Sequence, residues 1–105
     1  MSKRLAMLEQ MTAGGSKDPF AWYALANEYK NLGRVDDAVK TYAALRAIDP
    51  AYVPQYLMCG SLLSKEGKKA EAVEWLTAGI AAARKKGDNH AVGELESALA
   101  EAEDD

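Results

Sequence analysis

A chain of 105 residues, 49% of them hydrophobic, can bury one modest core. Its formal net charge of −3 gives no long-range attraction to phosphate backbones, which excludes nucleic acid as a general partner. The lone cysteine, Cys59, rules out an intrachain disulfide and suits a reducing compartment. No segment nears the ~20 apolar residues of a membrane span. The apolar run from Leu5 to Leu8 stops at Glu9, too short for an export signal. A cytoplasmic protein with no membrane partner is expected.

In chain order, residues 2–12 predict a helix with Leu5, Leu8 and Met11 on one stripe, ended by Gly14-Gly15. Asp18 is a good N-cap for the next helix. Pro19 suits its first position, where the missing N–H costs nothing. Trp22, Leu25, Ala26 and Tyr29 form its stripe, and Gly33 can adopt the left-handed turn that ends it. Val35, Ala38, Val39, Tyr42, Leu45 and Ile48 mark a third helix, stopped at Asp49-Pro50. A fourth runs from Pro54 to Glu66, turns at Gly67, and is followed by a fifth from Lys69 to Lys86. The last helix carries Val92, Leu95 and Leu99 on one face and acidic residues on the other. The basic clusters Lys65–Lys68–Lys69 and Arg84–Lys85–Lys86, and the acidic residues from Glu94 to Asp105, read as solvated helix ends and an acidic tail.

The chain repeats itself at an offset of 34 residues. Trp22 falls on Tyr56, Ala26 on Gly60, Tyr29 on Leu63 and Gly33 on Gly67. Ala38 falls on Ala72, Val39 on Val73 and Tyr42 on Leu76. Leu5, Leu8 and Met11 fall in turn before Val39, Tyr42 and Leu45, so residues 2–12 form the second helix of an incomplete repeat. The C-terminal stripe lies two residues late for a third copy and reads as a cap. One all-α domain over residues 1–105, of about six helices, follows: a half-repeat helix at 2–12, repeats at 19–52 and 53–86, a capping helix at 88–103 and an acidic tail at 104–105. A two-helix unit cannot cover its own apolar face, so flanking half-units are physically reasonable.

These residues resemble the tetratricopeptide repeat family. Its pattern appears as Trp22-x-x-Leu25-Ala26-x-x-Tyr29, Ala38-x-x-x-Tyr42 and Pro50. A looser second copy reads Tyr56-x-x-Cys59-Gly60-x-x-Leu63 and Ala72-x-x-x-Leu76, with Arg84 in place of proline. The resemblance covers residues 18–86. It implies antiparallel helix pairs stacked in a superhelix, a concave groove lined by first helices, and no catalytic activity.

One step around from the core stripe lie Phe20, Tyr23, Asn27 and Lys30, matched in the second copy by Pro54, Leu57, Ser61 and Ser64, with Lys65 beside them. The resemblance places these positions in the groove. Aromatic area and amide or hydroxyl hydrogen bonds suit an amphipathic peptide or a partner helix. The alternative is that Phe20, Tyr23 and Leu57 pack against a terminal helix. The residues of the family's chaperone-tail clamp are absent apart from Asn27: Tyr23 and Met58 stand where the family has lysine and asparagine. The expected function is therefore a protein-interaction adaptor, with a self-associating structural unit, a homodimer, as the alternative.

Catalytic chemistry finds no motif. Cys59 lies on a core stripe, His90 is the only histidine, and one of each cannot supply the four ligands of a zinc site. Asp36-Asp37 complement a helix dipole. Gly14-Gly15-Ser16-Lys17 lacks the spacing and preceding strand of a phosphate loop. No cofactor or metal is expected. Trp75, aligned with Thr41, fits no usual large position of the repeat and is expected to meet either the C-terminal helix or another chain.

Overall fold

The computed structural model describes residues Lys3–Asp104. These form six α-helices and no strand: α1 (Lys3–Ala13), α2 (Pro19–Asn31), α3 (Val35–Ile48), α4 (Pro54–Lys65), α5 (Lys69–Lys86) and α6 (Asn89–Glu103). The fold is the expected all-α helical repeat. Ser2 and Asp105, which the expected first helix and acidic tail include, lie outside the described residues.

The helix ends follow local chemistry. Asp18 Oδ1 accepts from the Phe20 N–H at 3.1 Å, with Pro19 opening α2. Gly33 and Gly67 take φ of 77° and 76°, a region costly for residues with a Cβ. That turn lets the Arg34 N–H reach the Tyr29 carbonyl and the Lys68 N–H reach the Leu63 carbonyl, each at 2.9 Å. Each repeat thus reverses through the same three-residue connection, and its second helix folds back on its first.

The contacts group the chain into two compact units that divide between Pro50 and Ala51. In the first, α2 packs on both α1 and α3. Leu5 and Leu8 enter from α1, Leu25, Ala26 and Tyr29 from α2, and Ala38, Tyr42 and Leu45 from α3, all buried. In the second unit, α4, α5 and α6 touch pairwise around Tyr56, Cys59, Leu63, Leu76, Ile80 and Leu95.

Several stripe positions depart from expectation. Met11 and Ile48 are exposed, and Val92 and Leu99 are only half-buried. Met11 belongs to a helix that packs on α2 alone, so half of its circumference has no neighbour in this unit. Thr12 is buried instead, its hydroxyl donating to the Leu8 carbonyl at 3.0 Å. Trp75 is buried and packs on its own repeat, its ring 5.8 Å from that of Tyr56.

Candidate protein-interaction faces

The α2 face begins at an anchored corner. The Asp18 N–H donates to Ser16 Oγ at 3.2 Å, and the Trp22 indole N–H donates to the Ser16 carbonyl at 2.7 Å. These bonds hold the loop that sets the first turn of α2. Phe20, on that turn, leaves 61% of its surface open. Along the same row Tyr23, Asn27 and Lys30 are half-buried. The Asn27 carboxamide oxygen accepts from the Tyr42 hydroxyl, a bond within the helix pair that fixes the orientation of the amide.

Behind this row, the Tyr29 hydroxyl donates to Glu9 Oε2 at 2.5 Å, and the Arg34 guanidinium lies 4.6 Å from the Tyr29 ring centre. The bond to Glu9, then burial, then the nearby carboxylate charge push the phenol up to about 12. Tyr29 holds α1 to α2 through this proton and has no need to ionise.

In the second unit the α4 residues divide between two surroundings. Leu57 is half-buried. Ser61, Ser64 and Lys65 line a cleft of about 500 Å³ whose far wall is Ala98 and Glu101 of α6. The cleft carries hydroxyls on one side and opposite charges, Lys65 and Glu101, across it. The α6 contribution is absent from the sequence-derived set. It was detectable: α6 takes the place of a first helix beside α4, and Ala98 and Glu101 are one turn apart on one face.

The other candidate groups are not brought together. Cys59 is fully buried, and His90 is exposed beside Glu94 at 3.5 Å. Among the described residues no group of histidine, cysteine and carboxylate could hold a metal ion, and no helix is long and apolar enough to cross a membrane.

Helical hairpins repeated at 34 residues, with a partly exposed row on each first helix, define a protein of the helical-repeat class. The tetratricopeptide repeat model matches residues 19–52. A tetratricopeptide repeat domain protein of Salinibacter ruber is similar at 32% identity in its crystal structure, with 82% of this chain and 97% of that one covered and a TM-score of 0.76. Its solution structure gives 0.78 at the same identity, covering 82% of this chain and 87% of that one. A protein of Bordetella parapertussis is similar at 28% identity and a TM-score of 0.81, covering 97% of this chain and 89% of that one. No curated protein matches. The chain belongs to the tetratricopeptide repeat family, generally a non-catalytic fold for protein interaction and scaffolding.

Proposed function

We propose that this protein is a cytoplasmic adaptor that binds an amphipathic peptide or partner helix through Phe20, Tyr23, Asn27 and Lys30 of α2 and Leu57, Ser61, Ser64 and Lys65 of α4. It works by binding and not by catalysis. The observation that carries this reading is Phe20: a large aromatic ring held 61% exposed on an ordered, capped helix turn. Such rings supply contact area with little entropy left to lose, and they are enriched at interface centres. The neighbouring amide, hydroxyls and lysines would fix the orientation of a bound segment.

The test is an amphipathic helical peptide selected from a random library against the purified protein, titrated into the ¹⁵N-labelled chain. Amide shifts should concentrate on α2 and α4, and Phe20→Ala with Leu57→Ala should weaken binding by about tenfold or more. Shifts confined to the acidic residues of α6, or an unchanged affinity in the double variant, refute the assignment.

A further inference from the structure

A second surface emerges when the half-repeats are read in the register of the whole ones. On the second helix of each whole repeat three matched positions are buried: Ala38, Thr41 and Leu45 in α3, and Ala72, Trp75 and Gly79 in α5. The contacts within the second unit show the reason. Trp75 packs on the Tyr56 ring, and a Cβ built at Gly79 would strike the Tyr56 side chain.

The 34-residue offset puts Arg4, Met7 and Met11 of α1 at these three positions. Here they are open: Met7 is 55% exposed and Met11 45%, while the Arg4 side chain is 61% exposed. The two methionines are one turn apart on a face distinct from Leu5, Leu8 and Thr12, which pack inward. Thus α1 is a second helix whose first-helix-facing side is uncovered.

At the other terminus α6 shows the converse. With its two-residue lag, Val92, Leu95, Glu96 and Leu99 stand where α4 has Tyr56, Cys59, Gly60 and Leu63. Leu95 is buried, but Leu99 is half-buried where its counterpart Leu63 is fully buried. An apolar cleft of about 360 Å³ opens between α5 and α6, lined by Ile80, Ala81, Leu99 and Ala100, with Arg84 and Glu96 at its edge.

We infer that the two half-repeats complete each other between copies. α1 of one molecule seats in the α5/α6 cleft of another, as the second helix that pairs with α6. Charge agrees with this occupant. Arg4 lies at one end of the uncovered face of α1, and Glu96 stands at the edge of the cleft. Arg4, itself 61% exposed, pairs with the half-buried Glu28 at 3.4 Å, and Glu96 pairs with Arg84 at 3.3 Å on the open surface, where an ion pair exchanges at little cost. α6 is otherwise acidic, and α1 begins with Lys3 and Arg4. The interface is heterologous: each copy offers two different surfaces. Neither surface is the Phe20 row.

Sedimentation from about ten micromolar to about one millimolar should show mass rising with concentration. Met7→Asp with Met11→Asp blocks the donor helix, and Ala81→Glu with Ala100→Glu blocks the acceptor cleft. Each exposed pair should weaken association by about tenfold or more with unchanged helical circular dichroism. Mixed together, the two blocked variants should form a one-to-one complex, because each keeps one good surface. Phe20→Ala should associate as the parent does. A strictly monomeric parent overturns the proposal, as does association that survives either block. Failure of the two variants to join while the parent associates overturns it equally, by showing a like-with-like interface.

Discussion

The two whole helix pairs share a backbone plan and fill it with different side chains. The second places Tyr56 against Trp75 and Gly79; at the matching positions the first has Trp22, Thr41 and Leu45. In the second pair the bulk has moved onto the second helix, and Gly79 makes way for it: a Cβ there would meet Tyr56 and also lie 3.0 Å from Leu95. A repeat therefore conserves the volume of an interface more strictly than the residue at any one position. The polar detail also differs. Where the first pair has Tyr29 bonded to Glu9 and covered by Arg34, the second has Leu63 and Lys68.

If volume is what each pair conserves, breaking it should cost most. Leu45 is fully buried, so Leu45→Ala should lower unfolding stability by about 2–5 kcal/mol, measured by urea denaturation. Next, Gly79→Leu installs the first pair's residue in the second and should cost about 1–3 kcal/mol or more through overpacking. Adding Trp75→Thr to Gly79→Leu completes the exchange and should recover part of that loss, with a coupling of about 0.5–3 kcal/mol. Strict additivity of the two changes would show that Trp75 and Gly79 do not share one space.

The same exchange explains what could be read in advance. Periodicity, Pro19, the matched turns at Gly33 and Gly67 and the 34-residue offset specify the helices, because each is a local signal with one backbone solution. Trp75 looked anomalous because its partner, Gly79, is four residues away on the same helix and speaks only through Tyr56 across the pair. Met11 and Ile48 have the right spacing for a core, yet spacing cannot say whether a neighbour exists to cover them. On the candidate face, Phe20 and Ser61 were legible from the stripe beside the core. Ala98 and Glu101 fall outside the repeat register, because α6 lags by two residues, and only their one-turn spacing on a single face marks them. The bond from Tyr42 to Asn27 was hidden, because it joins residues on two helices through side-chain length alone.

Helix starts offer a smaller contrast. α2 has a side-chain cap from Asp18, whereas α4 has Val53 at the same point and no such bond. Asp18→Ala should cost about 1 kcal/mol, read as a lower midpoint in the same denaturation curves. Val53→Asp tests whether α4 tolerates its bare start by choice of burial, since Val53 is buried. That variant should fail to stabilise, because a buried carboxylate costs more than a cap returns.

A last contrast concerns the proton on Tyr29, which has no counterpart at the matching Leu63 of the second pair. The folded protein holds this phenol up to about 12, against an ordinary value of 10.0, chiefly through its bond to Glu9. The unfolded chain releases the proton first as pH rises, so the folded state binds more protons between those values. Stability from this group is complete below pH 10 and is lost as pH climbs toward 12. Tyr29→Phe, and likewise Tyr29→Leu in imitation of the second pair, should be less stable than the parent at pH 8 and should lose less stability between pH 10 and 12. Parallel curves for parent and Tyr29→Phe across that range would mean that the Glu9 bond does not hold the proton, and the polar contrast between the two pairs would then be one of shape alone.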